Sequence, residues 1–181
     1  MNKNFQLLET ERLLLRKLTD EDYAFIIENC SDTEAMELFG FTALEELAKE
    51  KSRQPKGYST FNKSLLVFQL IEKESNKIIG WCGYHTWYRD HNRAELGYGL
   101  RNDEHKQKGF MTEAITRIIE FGWDEMQLHR IEAMAANYNV PSVKLLQNFG
   151  FVHEGTLKEH YLVNGVYENS EVFGLLKKNK H

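Results

Sequence analysis

Three consecutive stretches of the chain contain residues that could hold an anion: Glu95-Leu-Gly-Tyr-Gly-Leu100, the polar run Arg101–Lys108, and Gly109-Phe-Met-Thr-Glu-Ala114. They read as a strand, a polar loop and a helix that opens on glycine. The first N–H groups of a helix have no intrahelical partner, and the aligned peptide dipoles add partial positive charge there. Such an end takes a phosphate on main-chain amides without needing a charged side chain. The same glycine would equally serve a plain tight turn. Two common phosphate motifs are excluded, because no Gly-Lys-Ser/Thr follows and the glycines do not fit G-x-G-x-x-G. A second block lies downstream, Asn139-Val-Pro-Ser142 followed by Leu145-Leu-Gln-Asn-Phe-Gly-Phe151.

The elements that must position these residues follow from periodicity. Arg12-Leu-Leu-Leu-Arg16 is a first strand, and Thr19 caps a helix with Asp20, Glu21 and Asp22 in its first turn. Tyr23, Ile26, Ile27 and Cys30 make its buried stripe. A second helical region runs from Thr33 to Gln54, broken near Gly40 and ended by a turn at Pro55-Lys-Gly57. Ser64–Glu72 and Lys77–Tyr84 form a hairpin across Lys73-Glu-Ser-Asn76, and a turn at Tyr88–Asn92 leads to the strand Glu95–Leu100. These strands should form an antiparallel meander.

The helix after Gly109 is the clearest element, with Met111, Ala114, Ile115, Ile118, Ile119, Gly122, Trp123 and Met126 on one face. With the next strand, His129–Ala136, it should complete a right-handed parallel crossover. Asn139 caps a short helix with Pro141 in its first turn; Val143, Leu146 and Phe149 point inward, and Gly150 ends it. Phe151-Val-His and Val172–Leu176 finish the chain as short strands, joined by a long segment through Asn164-Gly165.

The bulk numbers narrow the class. At 181 residues the chain reads as one domain, residues 1–181. A hydrophobic content of 41% and a charged content of 28% exclude a disordered chain, and a net charge of -4 disfavours direct nucleic-acid binding. No run has the length of a signal peptide's apolar core or of a bilayer span, so a cytoplasmic protein without membrane contact is expected. Cys30 and Cys82 lie in no metal-type spacing and read as buried free thiols. The seven histidines lack a ligand motif, and no metal is expected.

Taken together, the motifs resemble the GNAT superfamily of acetyl-CoA-dependent N-acetyltransferases, most nearly its RimJ/RimL-type branch. Nearly the whole chain carries the resemblance, from Thr10-Glu-Arg-Leu-Leu-Leu-Arg16 through Ala94-Glu-Leu-Gly-Tyr98, Lys108–Ala114 and Leu128-His-Arg-Ile-Glu132. It continues through Asn139–Ser142 and Phe149-Gly-Phe151 to Glu154-Gly155 and Asn164-Gly165. The resemblance implies an α+β fold, a mixed, mostly antiparallel sheet splayed into a V with helices on both faces. The V would hold acetyl-CoA as acetyl donor. Its pantetheine arm would pair with the backbone of Tyr98, Gly99 and Leu100 and bond Asn139, unless Asn139 serves only as a cap. Its pyrophosphate would sit on Lys106, Lys108, Gly109, Phe110, Met111 and Thr112. Two departures stand out: Lys106 replaces the usual Gln or Arg, and Gln107 replaces a common glycine. The loop from Leu100 to Lys106 also looks one residue longer than the branch pattern.

Acetyl transfer needs a neutral amine, a stabilised oxyanion and a protonated leaving thiolate. The tyrosine that many GNAT enzymes place seven residues beyond the asparagine is Leu146 here. Branch members have serine at the position of Ser142, which could hydrogen-bond the thiolate or merely open its helix. Glu95 is the favoured base, acting through water, with an exposed strand carboxylate as the alternative. His160, beside Glu159 and Tyr161, has a suitable titration range, yet equally suits a plain surface. Of the aromatic residues Trp81, Tyr84, Trp87 and Tyr88, most read as packing, with Tyr84 or Trp87 as candidate walls for the acceptor. Asn169 stands where the family has an acidic residue, and reads as structural. The acceptor would be a primary amine, either a ribosomal-protein N-terminus or a small amine, attacked directly in a ternary complex by a monomer or homodimer. A non-catalytic acyl-CoA sensor is the alternative. Acceptor choice should lie in Thr33–Phe61 and around Glu159–Gly165.

Overall fold

Leu13, Leu15 and Leu18 set one strand between two cores. Successive strand side chains point to opposite faces, so Leu13 and Leu15 enter one apolar cluster and Leu18 another, each fully buried. In the computed structural model, which describes residues 3–53 and 64–178, this strand is β2 (Leu13–Thr19), preceded by a short β1 (Leu7–Glu9). Then come α1 (Asp20–Asn29), α2 (Asp32–Phe39), α3 (Leu44–Arg53), β3 (Ser64–Glu72), β4 (Lys77–Tyr88) and β5 (Arg93–Leu100). The chain continues with α4 (Phe110–Asp124), β6 (Arg130–Ala135), α5 (Val140–Asn148), β7 (Val152–Val163) and β8 (Val166–Leu176). The turn expected at Pro55-Lys-Gly57 lies outside the described residues, as does Gln54.

Thr19 and Asp22 form a reciprocal capping box at the start of α1, and Ser31 and Glu34 form another at α2. Each such cap stabilises its helix by about 1 kcal/mol. The expected break between α2 and α3 falls at Gly40, the C-cap of α2. One core gathers α1–α3 around Leu18, Ile26, Phe39 and Leu47. The other packs α4 and α5 against the opposite face, through Phe68, Tyr84, Ile115 and Leu146. The fold is therefore α+β with helices on both faces of the sheet.

The strand order is β1-β2-β3-β4-β5-β6-β8-β7, antiparallel throughout except for the parallel pair β5–β6. That pair is short. Arg93–Glu95 lie beside Arg130–Glu132, and there the register ends. β5 continues on β4 as far as Leu100, while β6 continues on β8 as far as Ala135. The two strands thus part beyond Glu95 and Glu132 and open a V in the sheet.

The C-terminal third departs from expectation. In place of two short strands and a long connection, β7 and β8 form one long hairpin, and Asn164-Gly165 is its two-residue turn. Both turn residues have positive φ, 49° and 83°, as a type I′ turn requires. Periodicity missed β7 because neither of its faces is buried: all of it is exposed except Gly155, so no apolar alternation marks it. Among the described residues, no helix is long and apolar enough to cross a membrane, and no group of three or more His, Cys, Asp or Glu could hold a metal ion.

Candidate active site

The open end of α4 is built from Gly109 onward. Gly109 takes φ 82°, a left-handed conformation that lets the loop turn sharply into the helix, and no side chain caps the end. The first intrahelical bond runs from Glu113 N to Gly109 O at 3.0 Å. The N–H groups of Phe110, Met111 and Thr112 precede it and have no helical acceptor. They border a cavity of about 490 Å³. Tyr98, Gly99 and Leu100 wall it from β5, while Lys106 and Gln107 wall it from the loop. Gly109, Phe110, Met111 and Thr112 close it from α4, and Asn139, Pro141, Ser142 and Leu145 from α5. Almost all the donor-binding candidates are thereby brought into one cavity.

Lys108 is not on that wall. Its carbonyl accepts from Arg12 Nη1 at 2.9 Å. Lys106 is on the wall, with its ammonium 2.5 Å from Asp103 in a 3₁₀ turn, Asp103–His105. Gln107 holds φ 60°. The residue that replaces a family glycine is therefore in the conformation glycine adopts most readily.

At the α5 side, Asn139 Oδ1 accepts from Ser142 N at 3.3 Å. The cap uses the carbonyl oxygen of the Asn139 side chain; its NH₂ group takes no part. Ser142 Oγ lies 2.7 Å from the Tyr98 hydroxyl. Burial raises the Tyr98 phenol above its ordinary value, and the Ser142 hydrogen bond only partly offsets this. Tyr98 therefore keeps its proton at neutral pH. Leu146, where many relatives would have tyrosine, is fully buried in the core.

Glu95 sits at the fork of the V, on the β5 face opposite Tyr98. Its Oε1 is 3.5 Å from His85 Nε2. A Cβ at Gly97 would stand 2.5 Å from His85 Cδ2, so glycine there makes room for the imidazole. His160 is on the exposed strand β7, with Nδ1 3.1 Å from Ser170 Oγ and its ring edge-on to that of Tyr161, centroids 4.5 Å apart. Its neighbour Tyr161 is the one that feels Glu95. Burial, and then the Glu95 charge, raise the Tyr161 phenol. The β7 bulge between Leu157 and Tyr161 holds Glu159 at φ 52°, with Glu159 N donating to Asn169 Oδ1 at 2.8 Å. Asn169 thus has a structural role.

Tyr84 does not wall an acceptor site. It is fully buried under α4, where its hydroxyl donates to Ile118 O at 3.0 Å. Strand alternation turns Trp81 and His85 to the other face instead. Cys82 shares the Tyr84 face, fully buried, and burial pushes its thiol far up. Cys30 is half-buried against the other core. Neither thiol is on the wall of the 490 Å³ cavity.

Four contributions escaped sequence reasoning: the Tyr98 hydroxyl, His85, His105, and the Arg12–Glu113 ion pair behind α4. His105 lines the cavity, and its Nδ1 is buried with no hydrogen-bond partner among the described residues. Its adjacency to Lys106 was the available signal. The ion pair joins Thr10-Glu-Arg to Thr112-Glu-Ala, two motifs that were read separately.

Comparison with known proteins agrees with this architecture. The profile described as an acetyltransferase (GNAT) domain matches residues 12–152. An uncharacterised N-acetyltransferase of Bacillus licheniformis, p20, is 33% identical over 172 residues, covering 94% of this chain and 96% of the relative. The ribosomal protein uS5-alanine N-acetyltransferase of Escherichia coli K12 is 28% identical, over 90% of this chain and 86% of its own length. The dodecameric spermidine N-acetyltransferase of Vibrio cholerae shares the fold with a TM-score of 0.64 at 24% identity, covering 92% of this chain and 95% of its own.

Proposed function

The chain belongs to the GNAT acetyltransferase family, and from that premise we propose that it moves an acetyl group from acetyl-CoA to a primary amine by direct attack. The observation that carries this reading is the cavity that joins the uncapped end of α4 to the Tyr98–Ser142 pair. One end suits a pyrophosphate and the other suits a sulfur, with an unpaired strand edge between them.

The amides of Phe110, Met111 and Thr112 would take the pyrophosphate, helped by the α4 dipole. The β5 edge from Leu96 to Leu100, left without a β6 partner, offers main-chain groups to the amides of the pantetheine arm. Asn139, whose NH₂ is not used by the cap, would add a donor. At the thioester the amine nitrogen attacks the carbonyl carbon, the N–C bond forms and the C–S bond breaks. The nitrogen sheds one proton and the sulfur gains one, so the balance closes without an outside reagent. Ser142 donates a hydrogen bond to the sulfur as negative charge develops there, and Tyr98 holds the Ser142 hydroxyl in place. Glu95, at the fork, receives the proton that leaves the amine, through water.

Direct attack is favoured over a covalent enzyme intermediate because neither cysteine reaches the cavity and Cys82 is held as an inert, protonated thiol. The relatives' names point to two acceptor types, a protein N-terminal amine and a polyamine; either is a primary amine, as the reaction requires. The test is to measure acetyl-CoA binding by calorimetry and free-thiol release with an amine panel. Saturable binding with amine-dependent thiol release is expected. Binding without turnover on any amine would favour a sensor, and no binding would defeat the proposal.

A further inference from the structure

A second cavity, of about 290 Å³, lies on the opposite face of the sheet, between β3–β4 and the helices α1–α3. Trp81 and His85 of β4 stand on its wall. A Cβ on Gly99 would meet Trp81 Nε1 at 3.2 Å, so Trp81 backs directly onto the strand segment whose other side lines the donor cavity. His85 is the wall residue that touches Glu95 at the fork of the V. The two cavities thus lie on opposite faces of the sheet, with Glu95 at the fork of the V beside the His85 wall of the second.

The lining has a definite chemistry. Tyr23, Phe39 and Phe41 add three rings to Trp81, and Tyr23 stacks on Phe39 with centroids 5.3 Å apart. The charged members are Glu50, Arg53 and Arg101. Arg101 gives its guanidinium to the carbonyls of Phe39 and Gly40. Burial lowers the pKa of Arg101, yet a guanidinium remains charged at any physiological pH. Arg53 lies 3.9 Å from the Glu50 carboxylate. Burial raises the Glu50 carboxyl, which the Arg53 and Lys49 charges only partly offset. Among the described residues of this wall, two guanidiniums thus stand with one carboxylate.

We propose that this cavity seats the body of the acceptor, with its amine at the His85–Glu95 rim, and that its lining selects a compact monoamine with an aromatic or apolar body over a polyamine. This rests on the acetyl-transfer reading above. At 290 Å³ the cavity is at the small end of ligand sites, which run from about 300 to 1,000 Å³. A second ammonium would have to enter beside two guanidiniums, a like-charge approach that costs affinity. A flat ring would instead stack among Tyr23, Phe39 and Trp81.

The test compares 2-phenylethylamine, spermidine and a short peptide with a free N-terminus as acceptors, following thiol release at saturating acetyl-CoA. The wild type should favour 2-phenylethylamine by about tenfold or more in kcat/KM. Trp81→Ala should raise KM for 2-phenylethylamine about tenfold and leave the calorimetric affinity for acetyl-CoA unchanged. Arg53→Glu, at an exposed position, should narrow the gap to spermidine about tenfold. Preferred turnover of spermidine or the peptide, or indifference of KM to Trp81→Ala, would overturn the acceptor assignment while acetyl transfer stood. Loss of acetyl-CoA binding in the wild type would instead strike the underlying reading.

Discussion

Arg12 and Glu113, 101 positions apart, clasp the N-terminal turn of α4. The Arg12 main-chain N–H donates to one carboxylate oxygen at 2.7 Å, and its Nε donates to the other at 2.8 Å. Thr10 adds its hydroxyl at 2.5 Å. With the carboxylate so occupied, Arg12 Nη1 reaches Lys108 O at 2.9 Å, and the guanidinium covers the Phe110 ring at 4.5 Å. The clasp draws the Lys108 carbonyl outward and fixes the loop from which the α4 amides face the cavity. Arg12→Ala should weaken acetyl-CoA binding about tenfold and leave kcat within about twofold. Calorimetry and steady-state kinetics would check this; undiminished affinity would deny Arg12 a positioning role.

The same clasp makes a prediction about pH. Burial alone would raise the Glu113 carboxyl, but hydrogen bonds from Thr10 and Arg12, with the Arg12 charge, outweigh it and hold the group low. A carboxyl lower in the folded than in the unfolded chain stabilises the fold above its unfolded value of about 4.3 and loses that contribution as pH falls through the folded value. The melting temperature of Glu113→Gln should therefore trail the wild type most above about pH 5, and the gap should narrow progressively as pH falls below about 4.3. A constant gap across that range would contradict the assignment.

Tyr98 and Ser142 should behave as a unit. Ser142→Ala should lower kcat about tenfold with little change in acetyl-CoA affinity, because the hydrogen bond matters most when the sulfur carries charge. Tyr98→Phe should lower kcat about threefold to tenfold. The double variant should be no worse than Ser142→Ala, since Tyr98 acts through that hydroxyl. Additive losses would separate the two residues.

Gln107 offers a test of strain. A non-glycine residue in the left-handed region costs about 1–2 kcal/mol, set against about 0.5–1 kcal/mol for the extra freedom of glycine in the unfolded chain. Gln107→Gly should raise the melting temperature by about 1–3 °C and leave acetyl-CoA binding intact or improved. A lower melting temperature would mean that the side chain supports the loop.

Sequence periodicity revealed what one-sided burial imprints. The α4 stripe is such a pattern, while β3 showed as a continuous apolar run buried on both faces, and the Asn139 cap and the Gly40 break as local backbone signals. β7 left none, since water reaches both of its faces. The donor wall was readable because main-chain geometry depends on glycine spacing and helix starts, which are local. Contacts made through distant chain were not. The Tyr98–Ser142 bond spans 44 positions, and nothing near either residue announces it. Tyr84 and Trp81 illustrate a subtler limit: three positions apart on one strand, Tyr84 enters a core and Trp81 lines a cavity on the other face, and aromatic character alone does not say which.

Because β2 to β6 divide two independent hydrophobic clusters, the two cavities rest on separate foundations. Substitutions among α1–α3 repack the cluster around Leu18 and Phe39 without disturbing the one around Ile115 and Leu146. Changes in α1–α3 can therefore alter the cavity they line while the cavity at the open end of α4 keeps its walls. The same partition offers a practical route for redesign: libraries confined to α1–α3 and the Trp81 face should change which amine is accepted without rebuilding the machinery that presents the acetyl group.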